Sequence, residues 1–196
     1  YFEDQRSYHT LKTGWVHDEG HWYYLQKDGG FDSRINRLTV GELARGWVKD
    51  FPLTYDEDKL KAAPWYYLDP TTAAMQTGWQ YLGNKWYYLR SSGAMATGWY
   101  QEGSTWYYLD DQNGDMMTGW TSINGDWYYL RSSGAMATGW LQDGSTWYYL
   151  NASNGDMKTG WFQVNGKWYY AYSSGALAVN TTVGGYYVNY NGEWIQ

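Results

Sequence analysis

Tryptophans recur along this chain in pairs whose spacing could build a binding surface for a cation. Each pair begins with a Gly-Trp step, and the second Trp follows seven residues later and opens a Trp-Tyr-Tyr triplet. The first Trp stands, at intervals of 20 or 21 residues, at Trp79, Trp99, Trp120, Trp140 and Trp161, and the second at Trp86, Trp106, Trp127, Trp147 and Trp168. The electron-rich face of such a ring attracts a cation by about 0.5 to 2 kcal/mol, depending on desolvation. A few rings around one quaternary ammonium group, which has no N–H to donate, can therefore provide recognition.

The same aromatic positions have an alternative interpretation, which is packing between repeats. An aromatic stripe in a repeat protein is more often core than ligand site. Leu, Ile or Val would suffice for packing, however, whereas this chain uses 15 Trp and 23 Tyr against Phe 4 times, a preference for rings with a polar edge. We therefore favour binding over packing alone.

The elements that must position these rings are β-hairpins. Between Trp99 and Leu109, two short aromatic and β-branched runs flank Glu102-Gly103, which is a hairpin signal. Other units place at the turn Asn124-Gly125, Asp143-Gly144 or Asn165-Gly166. A lone two-stranded hairpin is marginal in water. Successive hairpins must therefore stack, which predicts an all-β solenoid.

Side-chain alternation predicts which rings share a face. Trp106 and Tyr108 point to one face of their strand, and Tyr107 points to the other. A two-residue turn at Glu102-Gly103 predicts that Trp99 lies directly across from Trp106 on the shared face. In the Asn-Gly units the glycine falls one position later, where a bulge can shift the pairing.

Composition excludes several classes of protein. The chain has 196 residues, no Cys and a net charge of -6, with 14 scattered Lys and Arg. These values argue against a disulfide scaffold, thiolate catalysis and nucleic-acid binding. No stretch approaches the roughly 18 consecutive apolar residues of a membrane span. The start at Tyr1, without Met or an apolar leader, indicates a processed protein or an excised fragment.

Candidate catalytic groups are sparse. His9, His17 and His21 form no HExxH pattern, and solvated histidines are favoured over a His17/His21 pair across a turn. The acidic run Asp56-Glu57-Asp58 is more typical of a helix start than of a paired-carboxylate hydrolase. We predict that this chain is not itself an enzyme and needs no metal and no cofactor.

The motifs "TGW", "WYYL" and "GAMATGW", in this order and spacing, resemble the choline-binding repeats of streptococcal cell-surface proteins and phage lysins. The resemblance covers residues 74–178 in five successive units, and residues 10–68 more loosely. It implies a left-handed superhelix of β-hairpins. Each choline would lie between consecutive hairpins, against two Trp of one hairpin and a Tyr of the next.

Matching positions to the family pattern implies a set of ligand-binding residues. Four regular sites would be Trp79, Trp86 and Tyr108; Trp99, Trp106 and Tyr129; Trp120, Trp127 and Tyr149; and Trp140, Trp147 and Tyr170. A fifth would join Trp161 and Trp168 to Tyr190 in the final hairpin, where Thr181 replaces the first Trp. Candidates for a fourth, apolar wall, with plain gap-filling as the alternative, are Met95, Met116, Met136 and Met157.

Two insertions interrupt the pattern near the N-terminus. They lie at residues 26–44 and 48–64, and the second predicts a short helix before Pro64. Two less regular sites are implied beside them, formed by Trp15, Trp22 and Tyr67, and by Trp47, Trp65 and Tyr88. We interpret the insertions as extended loops or a solenoid cap, with a partner-binding elaboration as the alternative.

The repeat regularity divides the chain into three parts. Residues 1–68 are divergent repeats, residues 69–178 are regular repeats, and residues 179–196 are a capping hairpin that could instead pair with a second chain. The resemblance implies non-covalent attachment to the bacterial cell wall through phosphocholine on teichoic or lipoteichoic acid, outside the cell. The module would serve a larger surface protein or wall-active enzyme. The alternatives are a carbohydrate-binding repeat, as in glucan-binding proteins, and an adhesin or inhibitor that binds a protein through residues 48–64.

Overall fold

The described part of the chain folds into two-stranded antiparallel β-hairpins. The structure, a computed structural model, describes residues 13–26, 42–50, 52 and 56–195. The chain divides into two compact units, residues 1–96 and residues 97–196. Within the described ranges, no helix has the length and apolar character needed to cross a lipid bilayer.

Each unit is a series of hairpins. In the first unit the strand pairs are β1 (Gly14–Asp18) with β2 (His21–Leu25), β3 (Gly46–Lys49) with β4 (Trp65–Leu68), and β5 (Gly78–Leu82) with β6 (Lys85–Leu89), and helix α1 (Glu57–Lys61) lies between β3 and β4. In the second unit they are β7 (Gly98–Glu102) with β8 (Thr105–Leu109), β9 (Gly119–Ile123) with β10 (Asp126–Leu130), β11 (Gly139–Asp143) with β12 (Thr146–Leu150), β13 (Gly160–Val164) with β14 (Lys167–Ala171), and β15 (Thr181–Val183) with β16 (Tyr186–Val188).

The regular hairpins turn on two residues. In β7–β8 the turn is Gly103–Ser104, because Glu102 pairs with Thr105. In β9–β10 it is Asn124–Gly125, whose φ angles of 53° and 94° are those of a type I′ turn, which Asn and Gly tolerate. Both turns stand at the same distance from the first Trp. The predicted turn at Glu102-Gly103 is therefore one residue too early, and the Asn-Gly units need no bulge.

This register determines which aromatic residues lie opposite each other. Trp99 pairs with Tyr108, and Trp106 pairs with Gln101. The predicted direct pairing of Trp99 with Trp106 is wrong, because moving the turn by one residue moves the partner of Trp99 by two. The two Trp rings instead lie diagonally on the predicted shared face, with centroids 6.3 Å apart.

Alternation gives each regular hairpin two distinct faces. The front face carries both Trp and the second Tyr of the Trp-Tyr-Tyr triplet, and the back face carries the first Tyr and the residue after the triplet. In the second unit, Tyr108 on the front of one hairpin packs with Ile123 and Leu130 on the back of the next. The residue after the triplet is fully buried at Leu68, Leu89, Leu109, Leu130 and Leu150. Each of these leucines contributes about 1.5–3 kcal/mol by burial, which holds the stack together.

Within a unit, connectors link a hairpin to the one before it. Met136 bridges to Leu130 of its own hairpin, and its N–H donates to the carbonyl of Trp106 in the preceding hairpin over 2.7 Å. Gly134, earlier in the same connector, has a φ of 82°, and a Cβ there would collide with the side chain of Met116. The Gly-Ala-Met motif therefore encodes close packing between successive connectors.

The insertion between β3 and β4 contains the predicted short helix. Asp56 caps α1 by accepting hydrogen bonds from the backbone N–H groups of Asp58 and Lys59. The pairing of Trp47 with Tyr67 continues the regular register, so both Trp of this hairpin lie on its front face. Asp50, directly after β3, accepts hydrogen bonds from Trp15 Nε1 and the Tyr24 hydroxyl of the first hairpin, at 3.0 Å and 3.1 Å. Stacking of the first two hairpins is therefore retained despite both insertions; residues 27–41 lie outside the described ranges.

The last hairpin is shorter than the others. Thr182 pairs with Tyr187 as Trp161 pairs with Tyr170, and the turn follows one residue pair later. The predicted counting, which put Thr181 in the place of the first Trp, is wrong because β15 has three residues whereas β13 has five. The predicted division at residues 68 and 178 describes repeat regularity and stays a prediction.

Candidate functional site

One junction between consecutive hairpins forms an open aromatic pocket of about 330 Å³. Trp120 and Trp127 come from the front of β9–β10, Tyr148 from the back of β11–β12, and Met157 from the connector that follows. The Trp120 and Tyr148 rings lie 4.7 Å apart at 59°, and Trp127 is 46% exposed. The junction is therefore not sealed, and three ring faces and a thioether border one cavity.

Hydrogen bonds and packing fix these rings in place. Trp120 donates its indole N–H to Asp143 of the next hairpin over 2.9 Å and packs edge-on to Tyr129 across its own hairpin at 5.2 Å. The N–H of Met157 donates to the carbonyl of Trp127 over 2.8 Å. The pocket is thus preorganised, and Asp143 adds a negative charge beside it, which favours a cation.

The neighbouring junctions of the second unit repeat the contact between a tryptophan and the tyrosine of the next hairpin. After β7–β8, Trp99 contacts Tyr128 of the next hairpin at 5.0 Å, and Trp106 is 38% exposed. After β11–β12, Trp140 contacts Tyr169 at 4.8 Å, and Trp147, the second Trp of this hairpin, is 43% exposed. In each junction the first Trp is half-buried and the second offers an open ring face.

The last junction replaces methionine with a fourth aromatic ring. Trp161 contacts Tyr186 of the short hairpin at 5.8 Å, and Tyr186 contacts Trp194 at the same distance. The N–H of Trp194 donates to the carbonyl of Trp168, as that of Met157 does to Trp127. Tyr190, the implied member of this site, lies in the turn after β16 and is 74% exposed. Sequence reasoning missed both Tyr186 and Trp194.

The first unit contains two junctions of the same kind. Trp15 contacts Tyr66 at 4.6 Å, with Trp22 beside it on the same front face. Trp47 contacts Tyr87 at 5.0 Å and shares its face with Trp65. The N–H groups of Met75 and Met95 donate to the carbonyls of Trp22 and Trp65, respectively. Despite the insertions, each of these two junctions has the expected pair of tryptophans on one front face.

The tyrosine that reaches each tryptophan pair from the next hairpin is the first of the triplet, whereas the family match implied the second. The observed residues are Tyr66, Tyr87, Tyr128, Tyr148 and Tyr169, in place of Tyr67, Tyr88, Tyr129, Tyr149 and Tyr170. The reason is that hairpins stack front to back, and the second tyrosine lies on the front with its own tryptophans. Tyr129, for example, pairs with Trp120.

The remaining implied residues lie in separate units. Trp79 and Trp86, 6.5 Å apart at 83°, belong to the first unit, where Trp79 also packs against Tyr88. Tyr108 belongs to the second unit and packs across its own hairpin from Trp99 at 5.1 Å.

The predicted methionines have two roles that coexist. Met157 lines the pocket, and its side chain also fills the space left by Gly175 in the next connector. Met116 and Met136 fill the space beside Gly134 and Gly155 in the same way. Gap-filling and lining a pocket are therefore not exclusive at this position.

Two of the tyrosines that contact a tryptophan of the preceding hairpin, Tyr66 and Tyr128, have a raised pKa. Burial raises the pKa of Tyr128, and the nearby carboxylates of Asp126 and Asp156 raise it further. Burial and the charge of Asp50 raise the pKa of Tyr66 likewise. A neutral ring suits recognition of an organic cation by the ring face. Across the described part of the chain, no group of His, Asp or Glu is arranged to hold a metal ion.

Comparison with known proteins identifies the family. Residues 76–118 and 117–162 match the family model of the choline-binding repeat, and residues 13–31 and 159–177 match that of a cell wall binding repeat. No curated protein matches the chain. The chain is similar to the choline-binding domain of CbpL from Streptococcus pneumoniae, with 34% identity and a TM-score of 0.56 over 94% of this chain and 98% of that one. It therefore belongs to the choline-binding repeat proteins.

Two further solved structures are similar at higher identity. CbpJ from Streptococcus pneumoniae TIGR4 is 70% identical, with a TM-score of 0.82 over 94% of this chain and 58% of that one. Choline binding protein F from Streptococcus pneumoniae is 64% identical, with a TM-score of 0.83 and the same coverage, 94% and 58%. The chain thus spans 58% of the length of these relatives. The predicted family and the predicted all-β hairpin solenoid are confirmed.

Proposed function

We propose that the chain attaches its protein to the bacterial cell wall by binding the choline groups of phosphocholine-decorated teichoic or lipoteichoic acid. The observation that carries this proposal is the open pocket bordered by Trp120, Trp127, Tyr148 and Met157. Its volume of about 330 Å³ lies at the lower end of the range for small-molecule sites. It suits a headgroup better than a long chain.

The chemistry of the pocket matches a trimethylammonium group. Such a group cannot donate a classical hydrogen bond, so ring faces and dispersion must hold it, and three rings at about 0.5 to 2 kcal/mol each give roughly 1.5 to 6 kcal/mol. The phosphate stays in solvent, since none of the residues that line the pocket is cationic. The net charge of -6 favours the cation and disfavours the phosphate.

Repetition compensates for weak individual sites. A site worth about 4 kcal/mol has a Kd near 1 mM. A polymer that repeats its choline can bind several junctions at once, and effective concentration then raises the apparent affinity by about 10²-fold or more. A short array of equivalent pockets is therefore sufficient for stable attachment.

Binding to walls of defined composition tests this proposal. We expect the protein to bind walls whose teichoic acid carries phosphocholine, to be released by free choline, and to bind poorly to walls that carry phosphoethanolamine instead. The Trp127→Ala variant should elute from a choline resin at a lower choline concentration than the wild type. Release by a sugar, with indifference to choline, would instead support a carbohydrate-binding module.

For the whole protein, the proposal concerns only where it is held, at the bacterial cell wall. Because the chain spans part of its relatives, attachment of a larger surface protein or wall-active enzyme is proposed as the purpose of the module. A dimer through the C-terminal hairpin and a protein partner at the insertion within residues 48–64 stay predictions.

A further inference from the structure

One position on the front face of each hairpin lies directly opposite the second Trp. Its side chain shares the front face with both tryptophans and is directly across the strand pair from the second one. In the described hairpins with two tryptophans this position is occupied by His17, Lys49, Tyr81, Gln101, Ser122, Gln142 and Gln163. Lys49 thus places a basic side chain at a position that is neutral in the regular repeats of the second unit.

The Lys49 side chain is directed onto the aromatic surface. Its ammonium lies over the Trp65 ring, 5.7 Å from the ring centroid, within the range of a cation–π contact. It also donates a hydrogen bond to the carbonyl of Lys61 over 3.1 Å. Lys61 is the last residue of α1, where the helix dipole favours a positive charge. The insertion therefore supplies the acceptor that holds the ammonium over the tryptophan.

We propose that the junction formed by Trp47, Trp65 and Tyr87 is occupied by the protein's own cation, the Lys49 ammonium, and that this occupation makes it a poor choline site. The ammonium lies over one face of the Trp65 ring, and its charge repels a second cation. The insertion within residues 48–64 then acts as a local specificity element, which sets the number of working sites in the array. This inference rests on the proposed choline-binding function.

Choline titration of protein labelled with 5-fluorotryptophan, followed by ¹⁹F NMR, tests the proposal site by site. The Trp65 and Trp127 signals are assigned from Trp65→Phe and Trp127→Phe variants. In the wild type, we expect Trp127 to respond and Trp65 to respond only at a choline concentration about fivefold higher or more, the ratio for a contact worth about 1 kcal/mol. In Lys49→Gln, which introduces the residue found at 101, 142 and 163, Trp65 should respond with Trp127.

Two control variants separate this effect from general changes in charge. Lys59→Gln removes one positive charge from α1, where Lys59 is paired with Asp56 at 3.5 Å, so the Trp65 response should be that of the wild type. Lys49→Arg keeps a cation over the ring and should also keep the junction weak. Thermal melts of all variants check that folding is retained.

The two proposals fail in distinguishable ways. If Trp127 does not respond to choline, the proposed function is wrong. If Trp127 responds and Trp65 responds equally in the wild type and in Lys49→Gln, the inference about Lys49 is wrong. The inference is also refuted without any ligand if the Lys49 ε-methylene protons show no upfield ring-current shift in the wild-type protein relative to Trp65→Leu.

Discussion

Replacing Tyr148 with alanine should weaken choline binding at one pocket and leave the other junctions unchanged. The Tyr148 ring is one of three that border the pocket and lies 4.7 Å from Trp120. Loss of one ring face removes about 0.5 to 2 kcal/mol of cation binding, which corresponds to an increase in Kd of about 2- to 30-fold. Tyr148→Phe keeps the ring and should bind nearly as the wild type does.

The adjacent tyrosine provides a matched comparison. Tyr149 points to the opposite face, where it stacks on Phe162 at 5.2 Å and contacts Trp140 at 4.9 Å. Tyr149→Ala should therefore lower the free energy of unfolding by up to about 3 kcal/mol, at the lower end for buried aromatic residues because Tyr149 is only half-buried. It should change the affinity of the Trp120 pocket little.

The ¹⁹F signal of Trp127 reports the affinity of this pocket, and a urea titration reports stability. The expected pattern is a weaker Trp127 response in Tyr148→Ala and a lower unfolding midpoint, with an unchanged response, in Tyr149→Ala. The reverse pattern would show that the second tyrosine of the triplet forms the cage. The front-to-back stacking described above would then be wrong in solution.

Three further predictions concern stability. Leu150→Ala removes a fully buried side chain and should cost about 2–5 kcal/mol in urea unfolding, whereas Leu82→Ala, half-buried beside a turn, should cost less. Gly175→Ala places a methyl group at a φ of 84° against the Met157 side chain, so it should lower the Tm and also alter choline affinity at the Trp120 pocket, as followed by the Trp127 signal. Tyr108 has its pKa raised to about 12 by burial and by its hydrogen bond to Asp111. Because the folded-state pKa lies above the ordinary value near 10, this stabilisation is complete below pH 10 and is lost as the pH rises toward 12; Tyr108→Phe should therefore show a smaller fall in Tm over that interval.

The repeat, the hairpins and the tryptophan pairs could be predicted from the sequence. They depend only on residue spacing and on the alternation of side chains between the two faces of a strand. The turn was placed one residue too early, yet Trp99 and Trp106 still shared a face. Shifting a two-residue turn by one position shifts each cross-strand partner by two, and a shift of two does not change the face. The helix at residues 57–61 was also predictable, since Asp56 is a good N-cap before an acidic first turn.

The residues that come from neighbouring repeats could not be predicted in the same way. Alternation within a strand shows that Tyr128 and Tyr129 face opposite directions, but not which of them meets the preceding hairpin. Trp194 was missed because the last hairpin is shortened, so counting from the tryptophans fails there. A usable signal exists nonetheless: Trp194 follows the buried Val188 by six residues, as Leu177 follows Ala171, and both pairs form isolated bridges.

The pocket at Trp120 takes its lining from three successive repeats, since Ser173 and Ser174 of the connector after β13–β14 also border it. A ligand in this cavity would contact three hairpin repeats at once. Loading the array with ligand should therefore stiffen it, and the force needed to pull its repeats apart would grow with the number of guests. Ligand binding would then both attach such a module to its surface and raise its resistance to mechanical unfolding.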